Sequence, residues 1–300
     1  MSKQIGLIIA LLLTGSAQAQ DRFANVSIQA TPLTESVYLL TGSGGNMGLV
    51  VGESHAFLID DQFAPLAERI AAKIVDLTDR PLSFVLNTHW HGDHSGGNAA
   101  FAESGVVVVA HENVYRRMST DQVNEFFNRT TPASPNEALP VVTFTRDLAL
   151  RLGGRRVQIM HVPTAHTDGD SVVYLPDQNV LHTGDLFFHT LYPFIDVDSG
   201  GGIRGLVDGL SMLLESIDAD TKIIPGHGPV ADRDDLRAYR DFLATSADAI
   251  AAHIAAGHTL AETVAAKPTA DFDAEFNANG FLEPDRWVAM VYRDLSRSVE

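Results

Sequence analysis

Three histidines and an aspartate fall within six positions of the stretch Asn87-Thr88-His89-Trp90-His91-Gly92-Asp93-His94, in a chain with 12 histidines among 300 residues. Nitrogen and oxygen donors packed this closely point to a metal. On an extended backbone, residues two apart project to the same side, so His89 and His91 can share one ion. Gly92 permits a sharp bend, after which Asp93 and His94 can turn toward a second position. Ser95-Gly96-Gly97-Asn98 reads as the cap and tight opening of a helix. Four donors are too few for two closed sites, and further donors recur downstream. His166 stands in Ala165-His166-Thr167-Asp168-Gly169-Asp170, Asp185 in His182-Thr183-Gly184-Asp185, and His227 in Pro225-Gly226-His227-Gly228-Pro229. Each lies at the end of a β-type run beside glycine, where an α/β scaffold carries its functional loops. The chain has no cysteine, so any metal here is held without thiolate.

The pattern His89-x-His91-x-Asp93-His94, followed by His166, Asp185 and His227, resembles the metallo-β-lactamase superfamily of dinuclear zinc hydrolases. The resemblance implies an α/β fold, a four-layer αβ/βα sandwich with metal at one edge between two central sheets. By matching position it implies a first zinc on His89, His91 and His166. It implies a second on Asp93, His94 and His227, with Asp185 bridging both. Two ions about 3.5–4 Å apart can share a water and make it hydroxide near neutral pH, ready to attack a carbonyl. Asp93 would orient that nucleophile and return a proton to the leaving group. No Gly-x-Ser-x-Gly elbow offers a serine nucleophile instead.

The expected substrate is a small molecule with a carbonyl bond. A β-lactam is favoured, because export suits that role and His94 without cysteine resembles the lactamases whose second zinc is held through histidines. Asp185 departs from the lactamase pattern and resembles the glyoxalase II, lactonase and general hydrolase branches. A lactone or thioester is therefore the alternative. The superfamily also contains iron enzymes. The diiron oxygen reductases resemble a pattern with glutamate at the position of His91, and they carry a flavin domain not seen here. A persulfide dioxygenase-like iron enzyme is the redox alternative, and a non-catalytic metal-binding protein is a third class. The loop Leu191-Tyr192-Pro193-Phe194-Ile195-Asp196 is either an aromatic wall for substrate or a packed surface loop.

Positioning such a site requires a substantial core, and 45% apolar content supplies one. Lys3, the apolar run Ile5–Leu13 and Ala17-Gln18-Ala19 read as a secretory signal over residues 1–19. That leaves 20–300 as a single hydrolase domain, periplasmic or secreted, without stable membrane insertion. A net charge of −17 repels phosphate backbones and argues against nucleic acid as a partner. Strands are expected at Val26–Ala30, Val37–Leu40, Met47–Val51, Ala56–Ile59, Ser83–Leu86 and Val106–Ala110, then near 141–144, 147–152, 156–162, 171–175, 180–183 and 222–225. Helices are expected over Ala64–Thr78, a polar 111–130, and 205–217, 232–256, 259–266 and 284–298. Gly42–Asn46 reads as a hairpin or loop, with an anion cradle as the other use. His182 and His189, flanking Asp185, are equally balanced between orienting a ligand and a purely structural role. His55, His111, His161, His253 and His258 read as structural or solvated, and Asp168 and Asp170 as turn or supporting groups.

Overall fold

The apolar runs become strands whose two faces enter different cores. The computed structural model describes residues 22–152, 154–277 and 280–297, and the expected signal segment lies outside them. In chain order the strands are β1 (Gln29–Pro32), β2 (Val37–Thr41), β3 (Met47–Val51), β4 (Ala56–Ile59), β5 (Leu82–Leu86), β6 (Val107–His111), β7 (Gln122–Asn124), β8 (Arg129–Thr131), β9 (Val142–Phe144), β10 (Leu148–Leu152), β11 (Arg155–His161), β12 (Ser171–Leu175), β13 (Val180–His182) and β14 (Lys222–Ile224). One sheet runs β1-β2-β3-β4-β5-β6-β9 and the other β10-β11-β12-β13-β14, while β7 and β8 form a separate ribbon.

Period-two alternation assigns the faces. In β4, Ala56 and Leu58 join a cluster with Ile70 and Ile74 of helix α1 (Ala67–Leu77), whereas Phe57 and Ile59 face the second sheet. Sheet-to-sheet packing joins Val37, Leu39 and Leu86 to Val157, Ile159, Val173 and Ile224. On the outer face of the second sheet, Val172, Leu181 and Ile223 pack with residues of three helices in the C-terminal third, Ile203–Ser216, Arg233–Ala255 and Pro284–Arg297. Such strands, apolar on both faces, suit sheets covered on both sides. The expected αβ/βα sandwich is the observed architecture. Among the described residues no helix is long and apolar enough to cross a membrane.

Three local expectations are corrected. The helix expected over 111–130 ends at Met118, and β7 and β8 follow. Val114 and Met118 are the only buried residues of that helix, so nothing apolar holds a longer one to the body. Asn128 turns the ribbon at φ 48, and Asn124 Oδ1 accepts from the Phe127 N–H at 2.9 Å. The first strand is Gln29–Pro32, starting three residues and ending two residues later than expected, with Ala30 paired to Leu40. Ser95 ends a short helix (Gly92–Ser95), and Gly97 precedes the next (Asn98–Glu103) with no side-chain cap.

Parallel pairing aligns β4 with β5 and β13 with β14. The loops that leave their C-terminal ends carry residues 60–61, 87–98, 183–186 and 225–229, and all of them meet at one edge.

Two measurements check this packing. Ile224 is 0% exposed between the sheets, so Ile224→Ala should cost about 2–5 kcal/mol in urea unfolding. Val141, 74% exposed, should tolerate alanine within about 0.5 kcal/mol. His111 caps the helix Glu112–Met118 by accepting from the Asn113 N–H at 3.2 Å, and it stacks on His161 at 3.7 Å. Burial and the neighbouring His161 push its pKa down to about 4. The unfolded chain therefore binds this proton first, and the contribution of His111 is lost as pH falls from about 6.5 toward 4. His111→Asn should flatten that part of the stability–pH curve.

Candidate metal centre

Three imidazoles meet in a way that hydrogen bonds alone cannot satisfy. His166 Nδ1 donates to the Phe194 carbonyl at 2.8 Å, which leaves Nε2 with a lone pair. His91 Nε2 donates to Asp196 Oδ2 at 2.9 Å, which leaves Nδ1 with one. The Thr88 hydroxyl donates to Asp60 Oδ2 at 2.8 Å, so it accepts from His89 Nδ1 at 3.0 Å and leaves Nε2 bare. His91 Nδ1 then lies 3.1 Å from His89 Nε2 and 2.9 Å from His166 Nε2. A single proton can bridge one such pair. Three converging lone pairs call for a cation, and three imidazoles plus a carboxylate are a donor set suited to zinc.

The second group adjoins the first. His94 Nδ1 donates to Asp60 Oδ2 at 2.8 Å, and its Nε2 faces His227 Nε2 at 3.4 Å. Asp93 Oδ2 is 3.4 Å from His227 Nε2 and 3.8 Å from His94 Nε2. Asp185 reaches both groups. Its Oδ2 is 3.5 Å from His166 Nε2, 3.5 Å from His227 Nε2 and 3.7 Å from His89 Nε2, while Oδ1 is 3.0 Å from His94 Nε2. Asp185 Oδ1 is also buried without a hydrogen-bond donor. His89, His91, His166 and Asp185 offer donor atoms within 4.8 Å of one another, as do Asp93, His94 and His227. All seven residues singled out in the sequence are thus brought together in two groups that share a carboxylate.

The electrostatics point the same way. Burial lowers His89 well below the usual histidine value and takes His166 down to about 4, keeping both neutral. Burial opposes charge on His94 too, yet Asp185, Asp93 and Asp60 hold it well above the usual value. The centre is rich in negative charge and lone pairs, and it demands positive charge.

Glycines let the loops close on it. A Cβ on Gly45 would sit 2.1 Å from the His94 ring, and one on Gly226 would sit 2.0 Å from Asp185 Oδ1. Gly42–Asn46 is thus a hairpin turn serving as a brace rather than an anion cradle. Its Asn46 amide donates to the Pro225 and Gly228 carbonyls, both at 2.9 Å, and so fixes the His227 loop. His182 bonds the Asn46 carbonyl at 3.1 Å, and His189 Nδ1 bonds that of Pro229 at 3.0 Å. Both support that loop and touch no donor atom. Asp168 pairs with Arg117 at 2.7 Å, and Asp170 closes a turn on the Thr167 N–H at 2.7 Å. Burial pushes Asp170 up to about 7. A cavity of about 630 Å³ opens above Asp93, Asp185 and His227. Leu191, Phe194 and Asp196 line it, whereas Tyr192 is buried with its hydroxyl on Asp273 at 2.6 Å.

Residues 40–247 match the sequence model described as the metallo-beta-lactamase superfamily. The chain belongs to the metallo-beta-lactamase superfamily. Within this superfamily of metal-dependent hydrolases, it is 24% identical to a type 2 metallo-beta-lactamase of Bacteroides fragilis, over 75% of this chain and 90% of that protein. It is 26% identical to a linear primary-alkylsulfatase of Pseudomonas, over 62% of this chain but only 41% of that longer protein. The solved metallo-beta-lactamase of Pontibacter korlensis superposes with a TM-score of 0.61 at 23% identity, over 72% of this chain and 99% of that one. That likeness establishes the shared fold.

Sequence reasoning missed the groups that aim the donors. Asp60 serves Thr88 and His94 from a left-handed backbone at φ 61, and Asp61 accepts from the Gly97 N–H at 2.8 Å. Two acids directly after an apolar strand were the available signal. Asp196 lies in the loop expected as either a substrate wall or a packed surface loop, yet it orients His91. Asp196→Ala should weaken metal binding about 10–100-fold in chelator competition, with little change in far-ultraviolet circular dichroism.

Proposed function

We propose that this chain is an exported dinuclear zinc hydrolase that opens a carbonyl bond, with a β-lactam as its best substrate. The sharing of Asp185 between two donor groups beneath an open cavity carries the reading. Two zinc ions bound there would supply water activated near neutral pH and a polarised carbonyl. Asp93 is 28% exposed at the cavity floor. One of its oxygens faces His227 and the other can hold a water, take its proton and return it to the departing atom. Phe194 and Leu191 present apolar surface for the part of the substrate that does not react. The type 2 lactamase relative, matched over most of its length, supports the lactam. Asp185 supports a second reading, a lactone or thioester, because its charge reduces what remains to stabilise a ring-opened nitrogen anion.

Elemental analysis of protein purified without added metal, then zinc-loaded, should find two zinc ions per chain. A ceiling of one tightly bound ion would sink the dinuclear reading. Iron, with oxygen consumption on a persulfide, would replace it with the redox reading. A screen of the zinc-loaded protein on β-lactams, lactones, thioesters, an alkyl sulfate and phosphodiesters should show cleavage in the first three. Asp93→Asn should lower kcat by about 10²–10⁴-fold with zinc retained. Asp185→Ser should change lactam and ester rates by different factors. Mass spectrometry of exported protein should find Gln20 at the mature N-terminus.

A further inference from the structure

The ribbon β7–β8 carries an arginine that the hydrolytic reading does not use. Arg129 lines the cavity together with Asn124, Phe127 and Thr131 of the same ribbon. Asn124 is directly paired with Arg129 across the two strands, so their side chains leave the same face. The face is fixed by Asn124, whose amide donates to Asp196 Oδ1 at 3.1 Å, while Asp196 Oδ2 accepts from His91. Arg129 therefore leaves the ribbon on the face that Asn124 turns toward Asp196 and lines the cavity.

The ribbon is pinned. The Glu125 N–H donates to Asp198 Oδ2 at 2.8 Å, and Arg293 of the C-terminal helix pairs with Glu125 and Asp198. The Arg286 guanidinium lies 4.7 Å from the centre of the Phe126 ring. Every other arginine around the ribbon is engaged: Arg117 on Asp168, Arg286 on Phe126, Arg293 on its two acids. Arg129 has no ion pair and no side-chain hydrogen bond among the described residues, in a chain with 38 acids to 21 basic residues. Beside it the Phe127 and Phe194 rings, 4.8 Å apart and tilted at 47°, form an apolar wall. An uncommitted guanidinium next to aromatic surface recognises an amphipathic anion, and its planar fork matches a carboxylate.

We propose that Arg129 binds a carboxylate on the non-reacting part of the substrate, and so selects anionic acyl compounds that also carry an apolar group. This rests on the carbonyl-hydrolase reading of the adjacent centre.

The test has two arms, both on zinc-loaded full-length protein. The first uses aryl thioesters with the same leaving group, whose acyl chains end in a carboxylate, a neutral amide or an ammonium. Wild type should prefer the carboxylate by about tenfold or more in kcat/KM. Arg129→Gln should remove the preference through KM while the amide substrate is cleaved as before. Arg129→Lys should retain part of it, and Arg129→Glu should favour the ammonium. Equal losses on all three substrates, or no change on any, would overturn the proposal. The second arm needs no turnover. Calorimetry compares benzylsuccinate, with one carboxylate for the metals and one for Arg129, against its monoamide. The dianion should bind about tenfold more tightly to wild type and equally with the monoamide to Arg129→Gln. If no thioester is cleaved but this difference holds, the thioester reading fails and the anion site stands. If the dianion keeps its advantage in Arg129→Gln, the anion site fails whatever the enzyme hydrolyses.

Discussion

Three imidazole lone pairs aimed at one point is the constraint on which the rest of the structure depends. Left to themselves the rings would rotate until each inner nitrogen found a donor. They do not, because Phe194, Asp196 and Thr88 hold each outer N–H, and Thr88 is held in turn by Asp60. The free energy of aiming these rings is supplied by ordinary hydrogen bonds to their outer nitrogens. These bonds also choose the tautomers, so His91 offers Nδ1 where His89 and His166 offer Nε2.

That arrangement explains why the fold is a sandwich and not a single sheet. Donors come from loops after β5, β11, β13 and β14, and no one sheet edge could carry them all toward a common point. Apposing two sheets through Phe57, Ile59, Ile159, Val173 and Ile224 brings the loop sets together. Close approach then becomes the limit, and Gly45 and Gly226 are where it is felt. Backbone strain is also placed there: Asp60 and Gln62 take φ of 61 and 55, and the Gln62 side chain donates to the Gly45 carbonyl at 2.6 Å. Such conformations persist because the surroundings over-determine them.

The donors were legible in the sequence because residue type and spacing carry the chemistry directly. His89, His91, Asp93 and His94 are neighbours along the chain, and each distant partner follows an apolar run with glycine in or near its turn. The alternation of strands and helices made an α/β layering legible, and the resemblance carried by those donors implied the sandwich; the strands, apolar on both faces, fit it. What supports the donors was not. Asp196 lies 105 residues from His91, and no local pattern announces a hydrogen bond at that separation. The ribbon, expected as helix, is hidden for a related reason. Its Gln122, Asn124, Arg129 and Thr131 are polar, so period-two alternation has no apolar face to reveal it, and its place is set by acids and arginines elsewhere in the chain.

Charge gives these features a common logic. In the proposed two-zinc state, four positive charges less those of Asp93 and Asp185 leave about two at the cavity floor. Around it lies a chain of net charge −17. The exterior repels anions at long range, but beyond about 8 Å at physiological salt that repulsion is screened. In that state a small anion at the cavity mouth would therefore meet the local field of the bound metals and Arg129, not that of the whole surface. A polyanion cannot escape the exterior in this way, because most of its charges stay outside the cavity. In the proposed two-zinc state this combination would favour a small anion over a polyanion. Asp185 limits the same field from within, since a carboxylate shared by both groups lowers the charge at each. In that proposed state selectivity would fall to the groups at the cavity wall, Arg129 on its pinned ribbon among them.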